Sequence, residues 1–243
     1  MLHLEQPLPQ YPESAISVER YSPSAKDAWD DFVLELTERD KVPGRNRGTP
    51  MYGYIKRAID LVVALVLCIV LAPLLVVVAL AIRSESSGPA LLRQQRRGKN
   101  MRPFTFVKFR SLRHEVPDPH ANYEMVEEDP RITRVGAFLR RTSLDELPQL
   151  FNVLAGTMSL VGPRPLVEWE SRLAWKSHPE RFVVKPGITG LSQVAVRNSV
   201  GLGERLDWDV VYVKQRSLTL DLRLLLQTPW SLLRGQAIYP QSR

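Results

Sequence analysis

The chain has 243 residues, a formal net charge of +7 and an isoelectric point near 9.7, which favours acidic partners. Its single cysteine, Cys68, excludes an internal disulfide. The four histidines lie at positions 3, 114, 120 and 178, and this is not the spacing of a zinc site.

The first 50 residues are rich in proline, serine and charge, and they predict a mostly irregular extension with one amphipathic helix. Ser24 and Asp27 are spaced as a capping pair at the start of that helix. We expect its apolar face to pack on the rest of the chain or on a second copy, which would give a homodimer. The apolar face comprises Trp29, Phe32, Val33 and Leu36.

The residues from Leu61 to Ile82 form an uncharged apolar run. A helix of these 22 residues would be roughly 33 Å long, close to the roughly 30 Å of a hydrocarbon core. The run therefore predicts a membrane helix, and not a signal peptide, because no small-residue cleavage site follows it. Nucleic-acid binding favours basic residues interleaved with aromatic ones and no membrane anchor, so we expect no nucleic-acid partner.

Two features of this run conflict with a single straight crossing. Pro73, near its middle, interrupts the backbone hydrogen bonds around Ile69. Both flanks are basic, and the positive-inside rule then places both ends in the cytoplasm. A helix that enters one leaflet, bends at Ala72 and Pro73 and returns would satisfy both observations. Because proline also occurs in true spanning helices, the pattern leaves the re-entrant and the spanning interpretations open.

Two strands are predicted after the membrane segment, at residues 89–96 and 101–110, on either side of a glycine-containing turn. Lys108 and Arg110 share one face of the second strand, and this face is either a substrate-binding surface or an ordinary exposed one. The two-residue period of a strand places on that face Phe104, Phe106, Lys108 and Arg110.

The remaining elements are predicted to be mainly helical. Residues 135–141 suit a short helix or turn, and residues 206–216 suit a helix. Residues 185–190 predict a tight loop, either a phosphate-binding loop or a plain turn. The leucine-rich residues 219–234, interrupted at Pro229, suit either an amphipathic helix at a membrane interface or an ordinary core helix.

Asp145 and Glu146 are adjacent acidic residues in a stretch that has a motif and little pattern typical of a helix or strand. Ser143 and Glu146 have the spacing of a capping box, which is the structural interpretation of this pair. Pro148 weakens it, because a helix capped by Ser143 would place the proline in its interior, so a start at Leu144 or Asp145 is favoured. Near a positive helix end these carboxylates would be held ionised, suited to act as a nucleophile or a metal ligand.

Arg164 lies between Pro163 and Pro165, which restrict the backbone and would hold its guanidinium in one place. The planar guanidinium suits phosphate oxygens, although an exposed turn with a solvated arginine is the alternative.

A series of short motifs runs in order through most of residues 56–240. They are Lys56-Arg57 with Asp60, the apolar run with Pro73, Gly88-Pro89, Arg93 to Gly98, Phe106 to Ser111, Asp129 to Thr133, Arg140 to Gln149, Ser159 to Pro165, Lys185 to Gly190 and Gln193-Val194. In this order, the motifs resemble those of the bacterial sugar transferases, the monotopic phosphoglycosyl transferases that start glycan assembly on a polyprenyl phosphate. Two residues depart from the family pattern: Thr157, where the family usually has an acid, and Ala72, where it often has serine.

The resemblance implies an α/β, more closely a helix-rich α+β, fold. Its parts would be an N-terminal extension at 1–50, a re-entrant membrane helix at 51–84 and a small cytosolic catalytic domain at 85–243 with amphipathic interfacial helices. It also implies location in the bacterial inner membrane, in one leaflet and in contact with its lipid, with both termini cytoplasmic. A membrane-anchored scaffold of the same fold without turnover is the alternative function.

The resemblance further implies the chemistry. Asp145 would attack the sugar-linked phosphorus of a nucleotide-sugar donor, usually a UDP-sugar, and release UMP. Polyprenyl phosphate, the acceptor, would then take the phosphosugar from Asp145. Asp145 and Glu146 would hold Mg²⁺, and Arg164 would contact substrate phosphate. The full set of expected substrate-binding residues is Lys108, Arg110, Arg131, Pro163, Arg164, Pro165, Thr189, Gly190 and Gln193.

Overall fold

The computed structural model describes residues 50–113, 131–196 and 200–233. Those residues form seven α-helices and two two-stranded sheets, which confirms a helix-rich mixed architecture. The predicted helix at 24–36 and the polar segment at 114–128 lie outside the described residues.

Helix α1, Pro50–Glu85, contains the predicted apolar run and begins eleven residues before it. Pro50 suits this start, because a first-turn residue needs no backbone N–H donor. By length and composition alone, α1 is long and apolar enough to cross a membrane. Three apolar side chains on one side of it, Ala64, Val78 and Ile82, are buried against the rest of the chain. The other side is exposed and apolar, and includes Val62, Leu65, Val66, Ile69, Val70, Val76, Val77 and Leu80.

The predicted hairpin is confirmed. Strands β1, Leu91–Arg97, and β2, Pro103–Phe109, are antiparallel, with Leu92 opposite Lys108. The turn between them uses left-handed backbone at Asn100 and Met101, with φ of 54° and 59°. Phe104 and Phe106 point into the main core as the alternation predicts, whereas Phe109 on the opposite face joins a second core with Val78 and Ile82 of α1.

Residues 185–190 are not the tight loop predicted from the sequence. Gly187–Thr189 is strand β4, which pairs in parallel with strand β3, Ser159–Val161. The glycines serve this close pairing, since a Cβ on Gly187 would overlap the backbone of Gly162. The glycines of this segment are therefore required by the close contact of two backbones, and they do not mark a turn.

The other helices surround these sheets. The helix predicted at 135–141 is confirmed as α2, and the one at 206–216 is confirmed as α6, which starts earlier than predicted. The last helix, α7, continues through Pro229 without the predicted interruption. Their bounds are α2 Arg134–Thr142, α3 Gln149–Leu154, α4 Glu168–Ser177, α5 Leu191–Ala195, α6 Leu202–Gln215 and α7 Leu218–Leu233.

Helix α7 combines the two alternatives that its sequence left open. Leu220 and Leu224 are buried in the main core. Leu222, Leu226 and Trp230, spaced four residues apart, form an exposed apolar stripe. One face of α7 is therefore a core face, and another has the character of an interfacial helix.

Candidate active site

Asp145 and Glu146 lie in a single 3₁₀ turn, Leu144–Glu146, between α2 and α3. The capping-box interpretation is wrong: Ser143 makes no side-chain capping bond and instead ends α2 in a left-handed conformation, with φ of 56°. The α-helix predicted to start at Leu144 or Asp145 begins only at Gln149. Pro148 thus occupies its N-cap, where a missing N–H leaves no hydrogen bond unmade.

Helix α2, which leads into this turn, is fixed by the C-terminal end of α1. The carboxylate of Glu85 accepts hydrogen bonds from the backbone N–H groups of Arg134 at 2.6 Å and Val135 at 2.8 Å. These are first-turn donors of α2, which have no partner within the helix. Gly136 then allows α2 to approach the segment that follows strand β2, because a Cβ there would overlap the carbonyl of Ser111. The position of Asp145 is therefore tied to the C-terminal end of α1.

Asp145 is only 7% exposed, and burial raises the pKa of its carboxyl to about 6, with a further increase from the negative charge of Glu146. Lys108, Arg140 and Arg164 oppose that shift. The sequence predicted a carboxylate held ionised by a helix end. The pKa is raised instead, because desolvation outweighs the nearby positive charges. At neutral pH the ionised form still dominates.

Lys108 reaches this pair of acids from the hairpin. Burial lowers the pKa of its ammonium, while the charges of Asp145 and Glu146 raise it. Within the described residues, no hydrogen-bond donor contacts the Asp145 carboxylate. In the part of the chain that the structure describes, the Asp145 carboxylate therefore accepts no hydrogen bond from the protein. This leaves its oxygens available to attack a substrate or to bind a metal ion.

Arg164 lies beside the acid pair, with its Nη2 3.3 Å from Oε1 of Glu146. Its contact with substrate phosphate stays a prediction. Its loop is fixed through three successive carbonyl groups. The oxygen of Pro163 accepts from Gly187 N at 2.9 Å, that of Arg164 from Arg181 Nη2 at 2.7 Å, and that of Pro165 from Arg96 Nη1 at 3.1 Å. Pro163 and Pro165 are themselves buried. Arg164 is thus a positively charged group on a rigid support beside the two carboxylates.

Sequence reasoning missed the buried ion pair that supports this loop. Arg181 donates to Oδ2 of Asp209 from Nε at 3.1 Å and from Nη2 at 2.7 Å, and Ser192 donates to Oδ1 at 2.7 Å. Both charged side chains are almost fully buried. One signal was available in the sequence: Asp209 is the acid in Trp208-Asp-Val-Val-Tyr-Val213, a stretch otherwise too apolar for an exposed helix face.

The other predicted binding residues fall into two groups. Lys108, Arg110 and Arg131 line an open cleft of about 1160 Å³ between the hairpin and the end of α1. The guanidinium of Arg110 also donates to the carbonyl groups of Ser86 and Ser87, which ties α1 to the hairpin.

Thr189, Gly190 and Gln193 form the second group, around strand β4. Thr189 Oγ1 lies 2.7 Å from Oγ1 of Thr228, and Gln193 Nε2 donates to the carbonyl of Ile188 at 2.8 Å. Gly190 packs against Gly162, where a Cβ would overlap the backbone. Within the described residues, these contacts support the loop that carries Arg164 and do not reach Asp145 or Glu146.

The acid pair fits a magnesium ion by its donor set. Two adjacent carboxylates, one of which has its pKa raised by burial and by the charge of the other, gain from a divalent cation. Mg²⁺ is commonly held by one or two carboxylates together with water and substrate phosphate, so a larger acidic cluster is unnecessary. In the described residues there is no group of three or more metal-ligating side chains.

Fold and site together define a membrane-associated protein with two adjacent carboxylates, of which Asp145 is buried, beside an arginine carried on a fixed loop. The chain belongs to the bacterial sugar transferase family, whose sequence model matches residues 51–235. The long apolar helix and this membership indicate a membrane-bound protein.

Three relatives illustrate the similarity. The undecaprenyl-phosphate glucose phosphotransferase of Komagataeibacter xylinus is 43% identical over 71% of this chain and 35% of its own length. The UDP-glucose:undecaprenyl-phosphate glucose-1-phosphate transferase of Caulobacter vibrioides is 42% identical over 76% of this chain and 72% of its own. The exopolysaccharide production protein PSS of Rhizobium leguminosarum bv. phaseoli is 41% identical over 75% of this chain and 97% of its own. The chain spans less than half the length of several relatives. In the UDP-galactose-lipid carrier transferase of Erwinia amylovora, for example, the matched segment is 42% of that protein's length.

Proposed function

We propose that this protein transfers a sugar-1-phosphate from a UDP-sugar to undecaprenyl phosphate and releases UMP, so that it initiates the assembly of a glycan. The printed activities of several relatives support the reaction class. The observation that carries the proposal is the buried Asp145 carboxylate, whose pKa is raised by burial and by the charge of Glu146 and lowered by the charges of Lys108 and Arg164.

The reaction we propose has two displacements at one phosphorus atom. An oxygen of Asp145 attacks the phosphorus bonded to the sugar, the bond from that phosphorus to the bridging oxygen breaks, and UMP leaves with the electron pair. A phosphate oxygen of the lipid then attacks the same phosphorus, and the bond to Asp145 breaks, which regenerates the carboxylate. A pKa of about 6 leaves the carboxylate ionised at neutral pH and still basic enough to be an effective nucleophile.

The neighbouring residues provide opposite charge for this chemistry. Arg164 can approach donor phosphate oxygens with its planar guanidinium while its backbone is held by Arg181. Lys108 provides a second cation from the hairpin side. Asp145 and Glu146 would hold Mg²⁺, which, when bound, offsets the negative charge of the diphosphate. Thr189, Gly190 and Gln193 act in this proposal as the support of the Arg164 loop.

We also propose that α1 is re-entrant, with both ends and the catalytic domain on the cytoplasmic side of the inner membrane. Before Pro73, Asp60 accepts from Ser159 Oγ at 2.8 Å and from Leu160 N at 3.1 Å. After Pro73, Glu85 caps α2. Both halves of the helix therefore dock on the same small domain, which favours both ends on one side of the bilayer. The apolar stripe of Leu222, Leu226 and Trp230 on α7 would lie at the same interface.

The proposed activity is tested by UMP release from purified protein with undecaprenyl phosphate and a panel of UDP-sugars. The expected result is release with at least one donor and loss of release in Asp145→Asn. The alternative, a scaffold of the same fold without turnover, predicts no release with any donor in the panel. Full activity of Asp145→Asn would instead show that turnover does not use a nucleophile at this position.

A further inference from the structure

The cleft beside the membrane helix is strongly basic. Among its described lining residues, six are arginine or lysine and none is acidic. Its volume of about 1160 Å³ is much larger than a single phosphate needs. The sequence alone indicated only three of the cations. The six are Arg83, Arg93, Lys108, Arg110, Arg113 and Arg131.

Several elements of the chain converge to build this cluster. Arg83 lies in the last turn of α1, and Arg93 comes from strand β1. Arg113 and Arg131 are held side by side, because the N–H of Arg113 donates to the carbonyl of Arg131 at 2.9 Å next to an isolated β-bridge. Within the described residues, the buried Nε of Arg110 has no hydrogen-bond partner. Like charges collected in one cleft with an unused donor indicate an anionic ligand.

We propose that this cleft binds a lipid-borne phosphate and that it is the subsite for the lipid acceptor. The inference rests on the proposed function. One wall of the cleft is membrane helix, at Ala79 and Arg83, and the remaining lining is largely apolar, with Pro89, Ala90 and Leu91 among it. A phosphate whose lipid tail remains in the bilayer can enter beside such a wall, whereas a nucleotide arrives from water.

Lys108 links the cleft to the acid pair. Lys108 is both a lining residue and a cation that acts on the charges of Asp145 and Glu146. Arg164 contacts Glu146 but is not part of the cleft lining. Lys108 is therefore shared between the two places. Of the other cations, Arg164 serves the donor diphosphate, and the five remaining cleft cations serve the phosphate of the lipid.

The test uses steady-state kinetics of the full chain in nanodiscs, with both substrates varied. Arg93→Ala and Arg113→Ala remove exposed cleft cations whose loss leaves the core intact. The matched controls remove exposed cations outside the cleft. They are Arg102→Ala, at the far end of the same hairpin, and Lys176→Ala, on α4. The double cleft variant should raise KM for undecaprenyl phosphate about tenfold or more, with KM for the UDP-sugar within about twofold of wild type. The controls should behave as wild type.

The source of the phosphate is distinguished by varying the nanodisc lipid. If the cleft accepts only the phosphate monoester of the acceptor, anionic phosphatidylglycerol will leave the acceptor KM unchanged. If it accepts phospholipid headgroups as well, phosphatidylglycerol will raise that KM in wild type and not in the double variant. Either result supports a lipid-phosphate site.

A rise in donor KM with acceptor KM unchanged, or no change in either, would overturn the assignment. Failure of the proposed function is a separate result, because wild type would then release no UMP with any donor. In the absence of acceptor, single-turnover UMP release should be the same in wild type and in the double variant, since the first displacement does not use the lipid.

Discussion

Arg181 donates from Nη2 to the main-chain carbonyl oxygen of Arg164 at 2.7 Å, and the same nitrogen bonds to Asp209 at the same distance. This one guanidinium joins a buried ion pair to the loop that carries the arginine of the active site. Its charge is compensated inside the protein, so its effect on the reaction operates through the position of Arg164 and not through direct contact with the acid pair.

Arg181→Met should therefore affect both stability and catalysis. Leaving Asp209 buried without its cation should cost about 3–5 kcal/mol in the free energy of unfolding. Adding Asp209→Leu should restore much of that stability, whereas kcat should stay at least tenfold below wild type because the Arg164 carbonyl remains unsupported. Denaturant unfolding and UMP release measure the two effects. Arg172→Met, at an exposed position on α4, is the control, and recovery of kcat in the double variant would refute the positioning role.

The raised pKa of Asp145 predicts that its negative charge destabilises the folded protein. The pKa of Asp145 is about 6 in the folded protein, against an ordinary value of 3.8, which applies to the unfolded chain. Between pH 3.8 and pH 6 the folded protein therefore binds this proton more tightly than the unfolded chain does. Stability should therefore fall as pH rises from about 4 to about 6. Asp145→Asn should gain on the order of 2 to 3 kcal/mol at pH 7.5 and little at pH 4.

Thermal unfolding in EDTA at both pH values measures this difference, with Glu180→Gln at an exposed position as control. A variant that is no more stable than wild type at pH 7.5 would contradict the burial argument.

In the same pH series, kcat should fall below about pH 6, because the protonated carboxyl is not a nucleophile.

The capping of α2 by Glu85 predicts a stability contribution from a residue at the end of the membrane helix. Glu85→Ala leaves two first-turn N–H donors without their acceptor and should cost about 1–2 kcal/mol. Glu85→Gln keeps one acceptor oxygen and should cost less. Unfolding monitored by circular dichroism in detergent compares both with Glu180→Ala, and equal losses in all three variants would show that the contact has no specific role.

The docking of both halves of α1 predicts that its two ends lie on the same side of the membrane. In a Cys68→Ser background, single cysteines replace Met51 and Ser84, which are exposed and lie on either side of the apolar run. A thiol reagent that cannot cross the membrane should label neither in intact cells and both after permeabilisation. Labelling of one cysteine in intact cells would establish a spanning helix.

The parts of the fold that the sequence predicted are those with a strong local signal. The alternating pattern around Phe104 and Phe106 predicted β2 and its buried face, and the uncharged run within α1 predicted the long helix. Strand β4 was missed because a three-residue strand is too short to show alternation, and its glycines have the composition of a turn.

In the site, the fixed loop around Arg164 was expected from its flanking prolines, whereas the contact of Arg164 with Glu146 and the direction of the Asp145 pKa shift were not. Burial of a side chain in a 3₁₀ turn depends on what packs over it from distant segments. The Arg181 and Asp209 pair joins residues 28 positions apart for the same reason, and only the three-dimensional structure shows it.

The covalent step at Asp145 is tested most directly by intact and peptide mass spectrometry after incubation with a UDP-sugar and Mg²⁺ without acceptor. The account predicts the added mass of one phosphosugar per chain, located on the peptide that contains Asp145, absent from Asp145→Asn and removed by undecaprenyl phosphate. UMP release that reaches or exceeds one equivalent with no adduct on that peptide, or turnover by Asp145→Asn, would contradict it.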